Sequence, residues 1–184
     1  MKSIDLNCDM GEVPEAIADG TQESLMSSVT SINVACGGHA GDERTMKTTI
    51  EQALRWKLAV GAHPGYLDRA NFGRVEMELS AQAIADFVFE QVANFAKVAA
   101  ACGARVAHVK PHGALYNQAA RNLAIAEAIA VGVARWSCDA ILVGLAGSPM
   151  LDVFQAAGFR VAAEGFAELL RQRRGQRRAS ALQR

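Results

Sequence analysis

Short apolar runs alternate along this chain with longer segments in which apolar residues recur at helical spacing. The runs predict six strands, at residues 3–8, 31–36, 58–62, 105–110, 140–144 and 159–163. Helical spacing is clearest in a long segment that begins after Ser80 and in another over about 119–136. Strands that alternate with helices predict an α/β protein with a parallel sheet, either open or closed toward a barrel.

The first four predicted strands each run directly into a polar loop that contains glycine. These loops carry Asp9, Glu12, His39, Asp42, His63, Lys110 and His112. Because parallel strands all point the same way, their carboxyl ends lie at one edge, and we expect these side chains to converge there. All four histidines of the chain lie in or beside such loops. This concentration favours a functional site over four separate structural histidines.

Composition and charge limit the classes of protein that this chain can belong to. Its 184 residues, 51% of them hydrophobic, predict one domain over 1–167. Residues 168–184 are rich in arginine and predict an irregular basic tail or a frayed helix. Lysine and arginine elsewhere are scattered, which gives no reason to expect nucleic-acid binding. No apolar run approaches the ~20 residues of a membrane span, and four dispersed cysteines predict reduced thiols in a cytoplasmic protein.

Two interpretations of the strand-end histidines remain open at this level. Asp9, His39 and His63 come from three different strand ends, and one carboxylate with two imidazoles can hold a divalent metal ion. Alternatively, each histidine holds a turn by hydrogen-bonding loop carbonyl groups. The spacing matches no local metal-binding motif, so the sequence predicts the site more firmly than the ion.

Lys110 and His112 are the residues with the clearest catalytic chemistry. Lys110, at a strand terminus, can hold a phosphate or stabilise an oxyanion, and His112 can move a proton near neutral pH. The structural alternative for Lys110 is a salt bridge with Asp9 or Glu12. Those two carboxylates are also a candidate acid/base pair, with helix capping as the structural alternative. Cys8 and Cys36 precede the same loops, but each ends an apolar alternation, which favours buried packing over nucleophilic catalysis.

Six segments together closely resemble the LamB/YcsF family, which includes the A subunits of bacterial ATP-hydrolysing 5-oxoprolinases. They are LNCDMGE at 6–12, NVACGGHAGD at 33–42, GAHPGY at 61–66, NFGR at 71–74, HVKPHGALYNQAA at 108–120 and LVGLAGS at 142–148. The resemblance implies a TIM-barrel-like (β/α) parallel barrel, here incomplete with about six β/α units. It also implies that 5-oxoproline is opened to L-glutamate with ATP hydrolysis, together with partner subunits B and C.

Within this resemblance we assign roles to individual side chains as hypotheses. Catalysis is assigned to Asp9, Glu12, Lys110 and His112. Substrate binding is assigned to Asn7, His39, Asp42, Tyr116 and Asn117. ATP is the expected cofactor, and a divalent metal ion on Asp9, His39 and His63 is a further candidate.

The chain departs from the family pattern at two places. Gly38 stands where the family usually has phenylalanine, which removes an aromatic wall beside His39. After Phe166 the chain leaves the family's FADR-like stretch and lacks its later HGD motif, so we expect a truncated or frameshifted end and an incomplete barrel mouth. Two rival functions follow: a metal-dependent carbohydrate amide deacetylase or related hydrolase, and an inactive truncated relic that only binds partners.

Overall fold

A computed structural model describes residues 4–166 of the chain, and its centre is a six-stranded sheet. The strands are β1 (Asn7–Met10), β2 (Ser31–Ala35), β3 (Ala59–His63), β4 (Val106–Val109), β5 (Ile141–Leu145) and β6 (Arg160–Glu164). Each strand pairs in parallel with the next one along the chain, in the order β1 to β6. The sheet curls into part of a barrel, which confirms the incomplete TIM-barrel-like fold.

Helices connect the strands and cover the outer face of the sheet. They are α1 (Pro14–Ala18), α2 (Thr21–Met26), α3 (Glu43–Arg55), α4 (Ala81–Ala101), α5 (Gly113–Ala119), α6 (Leu123–Ala134) and α7 (Met150–Ala156). The long helix α4 begins as predicted, because Ser80 Oγ accepts a hydrogen bond from the backbone N–H of Ala83 at 3.2 Å. It ends before Gly103, whose φ of +76° suits a glycine terminator.

The hydrophobic core lies between the outer face of the sheet and the helices packed on it. Helix α4 contributes its buried stripe, which comprises Ile84, Phe87, Val88, Val92 and Phe95. Every residue of β2 is buried, because a central parallel strand is covered on both faces. This core fixes the positions of the strand ends, and with them the side chains that the following loops present.

The two edges of the described sheet are β1 and β6, which do not pair with each other within residues 4–166. The strands of residues 4–166 form one continuous sheet, and the boundaries predicted for the domain, 1–167, stay a prediction. The basic tail predicted over 168–184 lies outside the described residues. No helix within residues 4–166 has both the length and the apolar character needed to cross a membrane.

Candidate active site at the carboxyl ends of the strands

Four residues lie side by side across strands β1 to β4, and we call this row the floor of the site. Asp9 is in register with Asn33, Asn33 with Gly61, and Gly61 with His108. The imidazole of His108 lies across Gly61 and reaches Asn33 Oδ1 through its Nε2 atom at 2.7 Å. Asn33 Nδ2 then donates to Asp9 Oδ1 at 2.8 Å and to Asn7 Oδ1 at 2.7 Å. This chain of hydrogen bonds fixes the orientation of the Asp9 carboxylate.

Lys110 lies buried beside this row and joins the two edge strands of the sheet. Its Nζ atom donates to Glu164 Oε1 at 2.8 Å, to Asp9 Oδ1 at 3.1 Å and to Asn7 Oδ1 at 3.2 Å. Burial alone would lower the pKa of Lys110, but the carboxylates of Asp9 and Glu164 raise it above its ordinary value. The lysine therefore stays charged. The salt bridge considered from the sequence forms with Asp9, and its second carboxylate is Glu164 instead of Glu12.

The carboxylate of Asp9 faces positive and hydrogen-bonding groups from several strands. Burial would raise its pKa, but the hydrogen bond and charge of His63, together with Lys110 and Asn33, hold the pKa well below its usual range. Its Oδ2 atom lies 3.3 Å from His63 Nε2. Asp9 is consequently ionised and links the lysine to a cluster of histidines.

Three histidines surround the carboxylate of Glu12. Glu12 Oε1 lies 2.9 Å from His39 Nε2, 3.4 Å from His112 Nδ1 and 3.9 Å from His63 Nε2. The rings of His39 and His112 are stacked, with centroids 3.6 Å apart and planes 9° apart. One potential ligand atom from each of these four residues lies within 4.8 Å of all the others. We call this set the histidine cluster: Glu12, His39, His63 and His112.

The loop that contains the NFGR segment closes one side of the histidine cluster. Phe72 adopts a φ of +56°, an uncommon conformation for a residue with a side chain, and its carbonyl oxygen accepts from His112 Nε2 at 2.9 Å. The Phe72 ring stands edge-on to His39 with centroids 5.4 Å apart. The Phe72 ring therefore provides an aromatic contact to His39, although position 38 has no aromatic side chain. A Cβ atom at Gly38 would lie 2.4 Å from Gln91 Oε1, so this backbone has no room there for a larger residue.

Burial lowers the pKa of three imidazoles of the site, those of His39, His108 and His112. Desolvation lowers the pKa of His39, and it lowers the pKa of His112 to about 4 with help from the charges of His63 and His39. The pKa of His108, which lies in the floor, is also lowered to about 4, mainly by desolvation. At neutral pH, His39, His108 and His112 therefore carry no charge, and each presents one ring nitrogen as an acceptor.

The remaining residues assigned to substrate binding lie in different surroundings. Asp42 caps helix α3, where its side chain accepts from the backbone N–H of Thr45 at 2.8 Å in a capping box. Asn117 is exposed on α5, and it shares no hydrogen bond with the site among the described residues. Tyr116 is buried, and both its hydroxyl and Glu164 Oε2 lack a hydrogen-bond partner within the described part of the chain. Burial and the charge of Glu164 raise the pKa of Tyr116, so the phenol stays protonated.

Four residues of the site were not assigned a role from the sequence. Glu164 ends β6 and therefore follows the same strand-end rule that selected the other candidates, but the predicted strand stopped one residue too early. Asn33 and His108 lie within strands, where only the register shows that they meet. Phe72 contributes through its backbone carbonyl, and the sequence carries no direct signal for that contact.

We predict that the Cys36 thiol does not react with a disulfide reagent at pH 8 in the folded protein. Its Sγ atom accepts from the backbone N–H of His63 at 3.2 Å and donates to the carbonyl of Val34 at 3.1 Å. Burial raises its pKa to about 12, so only about 1 thiol in 10⁴ is ionised at pH 8. Peptide mass mapping after labelling should find the exposed Cys138 modified and Cys36 protected until guanidinium is added. Equal labelling rates for the two thiols would contradict this assignment.

The sequence of the chain is similar to a known protein family and to several of its members. The LamB/YcsF family model matches residues 4–181. The A subunit of 5-oxoprolinase from Bordetella pertussis is 48% identical over 174 residues, which are 95% of this chain and 69% of that protein. The corresponding protein of Brevibacillus brevis is 44% identical over 175 residues, again 95% of this chain and 69% of the relative.

A solved structure agrees with these sequence relatives. The lactam utilization protein from Thermus thermophilus superposes with a TM-score of 0.85 at 38% sequence identity, and the match covers 90% of this chain and 67% of that one. The family match extends over nearly the whole chain, and each relative named above exceeds 35% identity across at least nine-tenths of it. The chain belongs to the LamB/YcsF family.

Proposed function

We propose that this chain is the A component of an ATP-dependent 5-oxoprolinase, which opens 5-oxoproline to L-glutamate together with subunits B and C. Relatives that share nearly half of its residues are named as A subunits of 5-oxoprolinase. The observation that carries the proposal is the buried Lys110, held between Asp9 and Glu164 beside the histidine cluster. Four free cysteines support a reducing, cytoplasmic location for this activity.

Opening a lactam with ATP requires that the carbonyl carbon become more electrophilic. Transfer of the γ-phosphoryl group of ATP to the lactam oxygen forms an O–P bond and releases ADP. Water then adds to the carbon, the C–N bond breaks, and the ring nitrogen leaves as an amine after it gains a proton. A second water hydrolyses the resulting acyl phosphate to L-glutamate and phosphate. The protein has to stabilise negative charge and to move protons at these steps.

The described site contains groups suited to both tasks. Lys110 keeps a positive charge in a buried position, where it stabilises negative charge that develops on oxygen. All three N–H protons of Lys110 already have acceptors. The lysine therefore stabilises the negative charge of a reacting group by electrostatic attraction, and it donates a hydrogen bond to that group only when one acceptor is displaced. The Nδ1 atom of His112 faces Glu12, which makes these two residues the pair that accepts and returns protons.

Two buried polar atoms, Glu164 Oε2 and the Tyr116 hydroxyl oxygen, lack a geometric hydrogen-bond partner in the described part of the chain. Glu164 Oε2 can accept the lactam N–H, and the Tyr116 hydroxyl can donate to the lactam oxygen. The ring of Phe166 lies edge-on to Tyr116, with centroids 6.3 Å apart, and gives an apolar surface for the methylene groups of the substrate. We therefore propose Glu164 and Tyr116 as the groups that bind the lactam.

The proposal is tested by measuring ADP release that depends on 5-oxoproline in the presence of subunits B and C. The assay compares this chain with a chain extended to the full length of the Bordetella pertussis relative. In the active form, Glu12→Gln should lower turnover by about 10²- to 10⁴-fold, because it removes the charge of Glu12 and one acceptor while it keeps the shape. The matched control Glu51→Gln changes a carboxylate on α3 whose side chain is 49% exposed, and it should leave turnover unchanged.

Each outcome of this assay bears on the proposal. Activity in the extended chain alone would support the chemistry and show that it also needs the added segment. Absence of ADP release from both chains would overturn the proposal and favour a chain that only binds its partners. Equal turnover in Glu12→Gln and Glu51→Gln would exclude Glu12 from the reaction.

A second candidate function is metal-dependent amide hydrolysis without ATP. The observation that favours it is the histidine cluster, whose ligand atoms converge within 4.8 Å. Hydrolysis of an N-acetylated sugar in the absence of ATP would support this function. Amide cleavage that requires both ATP and 5-oxoproline would exclude it.

A further inference from the structure

Two backbone carbonyl groups fix the tautomers of the histidines at the centre of the site. His63 Nδ1 lies 2.7 Å from the carbonyl oxygen of Lys110, and His112 Nε2 lies 2.9 Å from that of Phe72. Because a carbonyl oxygen can only accept, each of these ring nitrogens carries a hydrogen. When the rings are neutral, as histidine ligands of a metal ion must be, the lone pairs are therefore on His63 Nε2 and His112 Nδ1. These two atoms lie 3.0 Å apart.

A carboxylate oxygen lies near each of these two nitrogen atoms. Glu12 Oε1 lies 3.4 Å from His112 Nδ1, and Asp9 Oδ2 lies 3.3 Å from His63 Nε2. The other oxygen of Asp9 already accepts from Asn33 and Lys110, so Oδ2 is the one directed at the histidines. With both rings neutral, Glu12 Oε1, His63 Nε2 and His112 Nδ1 are three acceptor atoms that face one another, an arrangement that a shared proton or a bound cation stabilises.

The spacing of Glu12 Oε1, His63 Nε2 and His112 Nδ1 suits a metal ion. Ligands held about 2.0–2.2 Å from a tetrahedral ion lie about 3.3–3.6 Å from one another. The measured separations range from 3.0 Å between the two histidine nitrogens to 3.9 Å between Glu12 Oε1 and His63 Nε2. The rings of His63 and His112 are 86° apart, so the lone pairs of both can point at one ion from different directions.

His39 belongs to the histidine cluster but has a different part in this arrangement. Its ring is parallel to that of His112, with planes 9° apart and centroids 3.6 Å apart. An ion in the plane of His112 would lie well outside the plane of His39, where that ring has no lone pair. His39 Nε2 instead lies 2.9 Å from Glu12 Oε1, the distance of a hydrogen bond that holds this carboxylate in place.

We propose that Glu12, His63 and His112 bind one divalent transition-metal ion, with His39 as the residue that orients Glu12. Two imidazoles and one carboxylate form a ligand set that suits Zn²⁺ and leaves a position for water or substrate. An ion at this position would polarise a carbonyl oxygen or activate a water beside Lys110. The set differs from the one expected from the sequence, because Glu12 and His112 replace Asp9 and His39 as ligands.

The test is titration of the purified, chelator-treated chain with ZnCl₂ by isothermal calorimetry, with metal content checked by mass spectrometry. Wild-type protein should bind one equivalent of Zn²⁺ and unfold at a higher temperature when the ion is present. His63→Ala and His112→Ala should each weaken binding by at least about 100-fold, whereas His39→Ala should keep one equivalent and weaken it about 10-fold. Cys138→Ser, which removes an exposed thiol, should bind like the wild type.

Failure of this inference is separable from failure of the proposed lactam opening, because the titration contains neither ATP nor 5-oxoproline. If the wild-type chain binds none of Zn²⁺, Mn²⁺ and Co²⁺, a shared proton occupies the site and the inference is overturned. If His39→Ala loses binding as completely as His63→Ala does, the proposed ligand set is wrong. The wild-type titration decides the first point even if a variant does not fold.

Discussion

Replacement of Lys110 by methionine is expected to lower the free energy of unfolding by about 3 kcal/mol and to abolish turnover. Methionine keeps much of the length of the side chain but leaves two carboxylates facing each other without a cation. Glu164 is only 6% exposed and bears most of this cost, whereas Asp9, at 35%, recovers part of its hydration. Urea unfolding gives the stability change, and release of ADP with subunits B and C gives the turnover.

Lys47→Met is the matched control for Lys110→Met. Lys47 pairs with Glu51 one turn along α3 at 4.0 Å, and their side chains are 64% and 49% exposed. Solvent screening leaves little energy in such a pair, so the unfolding free energy should change by at most about 0.5 kcal/mol. If both variants lose the same small amount of stability, Lys110 does not hold the two carboxylates together.

Much of the fold could be predicted from the sequence, because apolar runs and glycine loops mark the strands of a parallel sheet directly. All six predicted strands exist, and Ser80 caps α4 as expected. The helix predicted over about 119–136 corresponds to α6, which begins later, at Leu123, because Asn122 caps it through a bond from the N–H of Ala124; the separate short helix α5 precedes it. The first strand is also shifted, since the structure begins it at Asn7. Strand ends depend on pairing with neighbours, which a periodic pattern does not contain.

The part of the candidate site that could be predicted consists of side chains that follow the carboxyl ends of strands. That rule brought together Asp9, Glu12, His39, His63 and His112, which the structure places in contact. The same rule also selected Asp42, which lies at the start of α3 as a cap. A strand end thus limits where a side chain lies, but the backbone after it decides which way that side chain points.

The floor of the site could not be predicted, because it depends on register between strands far apart in sequence. Asn33 orients Asp9 only because β1 and β2 align these two residues, and His108 reaches Asn33 only across a glycine. Apolar runs indicate that strands exist, but they do not determine which residues lie side by side. The need for a residue without a side chain at position 61 consequently appears only in the structure.

Gly61→Ala is expected to destabilise the protein by about 3 kcal/mol, near the upper end of the usual cost of overpacking a core. A Cβ atom there would lie 2.1 Å from His108 Nε2 and 2.3 Å from its Cδ2 atom. The buried imidazole would have to leave Asn33, which would free the amide that holds Asp9. Thermal and urea unfolding should show the loss. Gly165→Ala, at an exposed position with open space around it, should change stability by less than about 0.5 kcal/mol.

A second substitution tests whether Gly61→Ala destabilises the protein through contact with His108 or through some other effect on β3. His108→Ala removes the ring that the added methyl group of Gly61→Ala would strike, so the double variant should be no less stable than His108→Ala alone. The two single losses should therefore not add, and the coupling between them should be at least about 1.5 kcal/mol. Additive losses would mean that Gly61 is required for some reason other than the passage of His108. Coupled losses would establish that this glycine makes room for the hydrogen bond between His108 and Asn33, the residue that orients the Asp9 carboxylate.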